Sequence, residues 1–230
     1  KSLLGVVSQE INFSQFEKVL DIVVTQAGFY GIPKSIAMPK VESILKRLSL
    51  WDKRNVQART LSGGYKRRLM IAKAIIHEPK LLILDEPTAG VDIELRREMW
   101  SFLKEINKNG TTIILTTHYL EEAEQLCRNI GIIDKGSIVA NTSMKDLLGT
   151  LNVQGFVFDL HQPLERAPTI DGFPLKLEDP LTLVAAVNKD RSINALFSEL
   201  TKLNIKIKSM RNESNRLEEL FIEMVNSNEK

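Results

Sequence analysis

The chain has 230 residues, 43% hydrophobic and 26% charged, with 31 basic against 29 acidic side chains. That length and apolar share suit one medium domain, alone or with a small appendage, and allow a sizeable core. A net charge of +2 sets up no global field that argues for nucleic acid or acidic lipid.

The single cysteine, Cys127, excludes an internal disulfide and fits a reducing compartment. It sits in a helical pattern and reads as a small buried apolar residue. No apolar run approaches the roughly 18 residues of a membrane-spanning helix, and no signal peptide is visible. If a membrane matters, another chain crosses it. The chain opens on Lys1 and runs at once into strand-like sequence, so it is expected to be a fragment.

Leu3 to Val7 is a short apolar run of strand length that turns polar at Ser8, Gln9 and Glu10. Helical spacing then predicts a helix over Ser14 to Tyr30, with Phe16, Val19, Leu20, Val23 and Val24 inward and Ser14 and Glu17 as a capping box. A second helix is predicted from about Pro39 to Leu50, with Pro39 at its first position. The stretch LSGGYKRR (Leu61 to Arg68) opens a third helix, apolar nearly all round, that stops before Pro79.

Leu81 to Leu84 is a continuous apolar run, as expected of a parallel strand covered on both faces, and it delivers Asp85 and Glu86 at its end. A helix over Glu94 to Lys108, a strand over Thr112 to Thr116, His118, and a helix carrying Leu120, Ala123, Leu126 and Cys127 follow. Ile130 to Ala140 reads as a hairpin turning at Asp134, Lys135 and Gly136. From about Leu151 the pattern changes to short strands (Phe156 to Leu160, Leu175 to Leu177, Leu181 to Val187, Ile205 to Ser209) and helices (Ile193 to Leu203, Leu217 to Val225). The expected fold is α/β, a parallel sheet with a helical insert, plus a small C-terminal α+β appendage.

In such a sheet, ligands bind beyond the carboxyl ends of the strands. Gln9, Asp85 with Glu86, and His118 leave three different strands at that end, so they are expected to converge. An Asp there can hold Mg²⁺ through its water shell. The adjacent Glu can polarise an attacking water. At LSGG, Ser62 can cap the helix while Gly63 and Gly64 let backbone N–H groups approach an anion, which the helix dipole favours. Taken alone, this glycine pair could equally be a flexible turn. Lys66, Arg67 and Arg68 read as a solvated or subunit-facing surface, His77 as a helix-end cap and His161 as a loop residue. Trp51 and Trp100 read as packing residues, and Met70, Met99 and Met210 as core.

The run LSGGYKRRLMIAKAIIHEPKLLILDEPTAGVD, followed by TTHYLEEAE, resembles the ATP-binding subunits of ABC transporters from Gln9 to about Leu148. The wording GVDIELRREMW, CRNIGIID and NRLEELF resembles the ATPases of ABC-2-type exporters. The resemblance implies an ABC-type P-loop NTPase domain whose N-terminal part, with its G-x-x-x-x-G-K-[ST] loop, is missing. It places the ATPase domain at 1–148, its helical subdomain at about 14–78, and an accessory domain at 149–230.

It further implies that Gln9 senses Mg²⁺ and the attacking water, that Asp85 serves the metal, that Glu86 is the catalytic base and that His118 contacts the γ-phosphate. Leu61, Ser62, Gly63 and Gly64 match the signature that closes over the ATP of a partner subunit, and Ala89 to Asp92 the loop that crosses the dimer interface. Tyr65 departs from the glutamine common in that signature. The implied cofactors are ATP and Mg²⁺. The implied partners are a second copy and an ABC-2-type membrane permease at the cytoplasmic face of a bacterial inner membrane, with no nucleic acid. The competing readings are a soluble ABC ATPase of translation or DNA repair, which typically carries two such domains, and a regulatory nucleotide-binding module.

Overall fold

The computed structural model describes residues 2–150, 153–213, 217, 218, 220 and 221. The chain divides into two compact units, Lys1–Leu126 and Cys127–Lys230.

In the first unit, β1 (Leu4–Val7), β2 (Leu81–Asp85) and β3 (Thr112–Thr116) form a parallel sheet in that order. Val7 stands beside Leu84, and Leu84 beside Leu115, so the three strands end level. Val7, Leu82 and Leu84 are buried in the core. Gly5 lies so close under α3 (Gly63–Ile75) that a Cβ there would come within 2.5 Å of the Ala74 carbonyl. The opposite face is open: Val6 is 51% and Ile114 52% exposed. The expectation of a strand covered on both faces therefore holds for one face only, because the core helices of this unit pack on the side of Leu82 and Leu84.

The helical insert is built from α1 (Val19–Phe29), α2 (Lys34–Arg47) and α3. Helix α1 starts five residues later than the sequence predicts. Backbone hydrogen bonds from Ala58 N to Glu17 O and from Arg59 N to Gln15 O, with a bridge pairing Lys18 and Gln57, hold residues 15–18 in a turn that runs into an extended Lys18. Those bonds compete with a helical turn, so the capping box of Ser14 and Glu17 does not form. Phe16 is then 72% exposed, with the Arg59 guanidinium over its ring.

Helix α2 starts earlier than expected, after Pro33, and contains Pro39 in its interior. A proline there removes one i→i−4 bond; the buried face of Ala37, Val41 and Leu45 holds the helix across it. Helix α4 (Ile93–Lys108) buries Leu95, Met99, Trp100, Phe102 and Leu103 and ends before Gly110, whose φ of 102° suits glycine. Helix α5 (Leu120–Leu126) stops one residue short of Cys127, which is half-buried beyond it.

The second unit opens with the hairpin β4 (Asn129–Asp134) and β5 (Ser137–Ser143), turning at Lys135 and Gly136, both at positive φ. A short helix, α6 (Met144–Leu148), follows. Strands β6 (Val153–Leu160), β7 (Leu175–Asp179), β8 (Thr182–Asn188) and β9 (Ile207–Asn212) then form an antiparallel sheet in the order β7-β8-β6-β9. Helix α7 (Ile193–Lys202) buries Leu196 and Leu200 in a core shared with Phe158 and Leu183. Met210, expected in the core, is 46% exposed because β9 is an edge strand. The helix expected over Leu217 to Val225 lies largely outside the described residues.

Candidate active site

Strands ending level deliver their next residues to one place. Glu86 follows β2 directly, and Gln9 and His118 each stand two residues past the ends of β1 and β3. Gln9 Nε2 donates to Glu86 Oε2 at 3.4 Å, and His118 Nδ1 lies 3.0 Å from Glu86 Oε1. The three residues expected to converge thus share one carboxylate. The Glu86 side chain is a quarter exposed and that of His118 more than half exposed, which leaves room for a reacting group.

Glu86 takes a φ of 46°, a left-handed conformation that costs a non-glycine residue roughly 1–2 kcal/mol. Its amide offsets part of that by donating to the Thr116 carbonyl at 3.0 Å and to Thr116 Oγ1 at 3.3 Å. The Thr116 hydroxyl donates in turn to Asp85 Oδ1. Thr116, which drew no attention in the sequence, therefore sets both carboxylates. The only available signal was its place at the end of a strand neighbouring β2.

Asp85 and Gln9 provide oxygen donors, the type that suits Mg²⁺. Among the described residues no cluster of three or more His, Cys, Asp or Glu could cage a metal. This donor set fits an ion completed by water and phosphate oxygens.

At the signature stretch the four residues separate by role. Leu61 is buried in the core. Ser62 occupies the N-cap position of α3, yet its side chain makes no capping bond, so among the described residues its hydroxyl is available to another acceptor. Gly63 faces open space: an added Cβ would meet nothing within 4 Å. At Gly64 a Cβ would come within 2.5 Å of Leu95 Cδ2, which assigns that glycine to helix packing. Free amides at the start of α3 and an uncommitted hydroxyl fit an anion such as a nucleotide phosphate.

Asp92 caps α4, its Oδ1 accepting from Leu95 N at 2.9 Å. This fixes the loop Ala89 to Asp92 in front of that helix. Beneath the loop, Glu122 is wholly buried and accepts from Thr88 Oγ1 at 2.8 Å and Trp100 Nε1 at 2.9 Å. Arg96 Nη2 donates to Val91 O, and its guanidinium stacks over Tyr119, the neighbour of His118. The loop and the His118 segment are thus tied together through α4 and α5.

Arg67 and Arg68, expected on a solvated or subunit-facing surface, are 8% and 6% exposed. Arg68 Nη1 donates to Leu48 O at 2.7 Å and lies 3.4 Å from Glu98, with its guanidinium over Tyr65. Lys53 approaches the same ring, so the aromatic residue at position 65 is packed between two cations. Arg67 Nη1 donates to Ser8 O at 2.8 Å. Spacing held the clue: Arg67 and Arg68 stand three and four residues after Gly64 and before Ile71, on the buried face. His77 is no helix cap; it stacks on Tyr30 with centroids 3.7 Å apart and its Nε2 is 3.0 Å from Leu4 O.

The family model described as ABC transporter matches residues 1–89. The linearmycin resistance ATP-binding protein LnrL of Bacillus subtilis (strain 168) is 30% identical over 237 aligned residues, covering 97% of this chain and 75% of that protein. The Nod factor export ATP-binding protein I of Cupriavidus pinatubonensis is 39% identical, covering 84% of this chain and 63% of that protein. The daunorubicin/doxorubicin resistance ATP-binding protein DrrA of Streptomyces peucetius is 31% identical, over 87% of this chain and 63% of that protein. The chain thus spans just under two thirds of the latter two relatives. A solved structure of an ATP-binding subunit of an ABC transporter superposes with a TM-score of 0.58 at 23% identity, covering 64% of this chain and 61% of that one, which shows the shared fold. This chain belongs to the ABC transporter family of ATP-binding proteins.

Proposed function

We propose that the complete protein is the ATP-hydrolysing subunit of an ABC-2-type exporter. The observation that carries this reading is the meeting of Gln9 and His118 on the two oxygens of Glu86. In it, Glu86 accepts the proton of the attacking water, and His118 and Gln9 hold its carboxylate and present polar groups to the transferred phosphate. Asp85 and Gln9 would hold Mg²⁺, which would supply charge neutralisation at the phosphates. Ser62 and Gly63 close over nucleotide bound by a second copy, and the loop Ala89 to Asp92 meets that copy.

The relatives are named for linearmycin resistance, daunorubicin/doxorubicin resistance and Nod factor export, which supports an exporter. The finer wording of GVDIELRREMW, CRNIGIID and NRLEELF resembles the enterobacterial exporter ATPase YadG. Among the described residues no helix is long and apolar enough to cross a membrane. The relatives are named as ATP-binding proteins, which supports a separate permease as the partner that moves the substrate. The protein then works at the cytoplasmic face of the inner membrane. We take 1–148 as the ATPase part and 149–230 as accessory.

The test is ATP hydrolysis by protein that includes the phosphate-binding loop, alone and co-purified with its membrane partner. Mg²⁺-dependent turnover that changes with the permease is the expected result. Absence of turnover, or activity that follows ribosomes or DNA instead, would overturn the exporter reading.

A further inference from the structure

Arg67 lies on α3 five residues beyond Ser62, roughly 7 Å along the helix. Its guanidinium is buried, and no carboxylate lies within ion-pair distance of it among the described residues. Nη1 donates to the carbonyl of Ser8, the residue immediately before Gln9. Burial lowers its pKa, while the nearby charges of Asp85 and Glu86 act in the opposite direction.

A guanidinium remains charged in proteins, and a buried cation is tolerated where a field of opposite sign reaches it. That field comes from the two carboxylates of the candidate site. The cation fixes the backbone from which Gln9 reaches Glu86, and the nearby Asp85 and Glu86 favour its charged form. Holding that backbone requires no contact with the nucleotide.

We infer that Arg67 is a positioning residue that couples the two nucleotide sites of the dimer. The inference rests on the proposed function, in which the start of α3 engages the partner's nucleotide. One end of α3 then faces the partner's ATP, while Arg67, on the same helix, holds the Ser8 carbonyl next to Gln9 of its own subunit's site. A shift of α3 on closing over one nucleotide moves the Ser8 carbonyl and so resets the other site.

The test compares Arg67→Met and Arg67→Lys in protein that includes the phosphate-binding loop. Three quantities are measured: kcat, the Hill coefficient for ATP, and the ATP concentration that drives dimerisation of the Glu86→Gln form, read by light scattering. Methionine keeps the apolar stem and removes the charge. It is expected to lower kcat by about tenfold or more and to bring the Hill coefficient toward 1, with the dimerisation midpoint moved less than about twofold. Lysine, which keeps the charge on a slightly shorter stem, restores cooperativity. Should the methionine variant fail to fold, Arg67→Gln takes its place.

Unchanged kcat and Hill coefficient in the uncharged variant overturn the inference, as does a lysine variant as impaired as the methionine one. Failure of the Glu86→Gln form to dimerise with ATP would instead count against the underlying function.

Discussion

His118 presents Nδ1 to Glu86 Oε1 at 3.0 Å across two neighbouring parallel strands. With Gln9 on the other oxygen, the carboxylate is oriented from both sides before any substrate arrives. Each carboxylate oxygen has a second acceptor site, so a water can bind Glu86 without displacing either neighbour. His118→Ala is expected to reduce kcat by about tenfold to a thousandfold with little change in nucleotide affinity. Steady-state kinetics with a nucleotide-binding assay check this, and an unaltered kcat would contradict the arrangement.

The two signature glycines should respond differently to one added methyl group. Gly64→Ala drives a Cβ toward Leu95 and is expected to cost about 1–3 kcal/mol of stability. Gly63→Ala has open space and should change stability by less than about 0.5 kcal/mol, yet weaken ATP-driven dimerisation by crowding the approach to the helix start. Denaturant melts and light scattering separate the two; equal stability losses would contradict the division of roles between Gly63 and Gly64.

Glu122 sits fully buried between Thr88 and Trp100, with no hydrogen-bond partner for Oε2 among the described residues. Removing either donor leaves it more poorly satisfied. Trp100→Phe and Thr88→Val are each expected to cost about 1–3 kcal/mol. They share one acceptor, so the double variant should depart from additivity by at least about 0.5 kcal/mol. Strict additivity in denaturant unfolding would contradict a shared carboxylate.

Burial lowers the pKa of His77 below its ordinary 6.5, only partly opposed by its bond to the Leu4 carbonyl. The native state therefore binds this proton less readily than the unfolded chain, and stability rises with pH through the window between the two values. The contribution of His77 is complete above about pH 6.5 and is lost as pH falls through the lower native value. Melting temperature should drop less steeply on acidification in His77→Gln than in the parent. Parallel slopes would show that His77 is not linked to folding.

Much of the α/β core was legible because its elements rest on local pattern. The runs at Leu81 to Leu84 and Thr112 to Thr116 became parallel strands, and the polar residues following them met at one end. What failed depended on distant partners. Ser14 and Glu17 have the spacing of a capping box, but backbone bonds to residues 58 and 59 claim that segment first. Pro39 looks like a helix start, and only the buried face of α2 shows that it is interior. Arg67 and Arg68 read as surface because charge outweighed their position three and four residues from buried neighbours, and their acceptors are the carbonyls of Ser8 and Leu48. The network of Thr88, Trp100 and Glu122 joins three segments and has no local signature.

The central claim is that Glu86 is the base of an ATPase, and Glu86→Gln tests it most directly. The amide keeps the size of the side chain and one acceptor oxygen but cannot take up a proton at neutral pH. In protein that includes the phosphate-binding loop, the variant should lose ATP turnover by about a hundredfold or more while still dimerising when ATP is added. Turnover equal to the parent's would contradict the account.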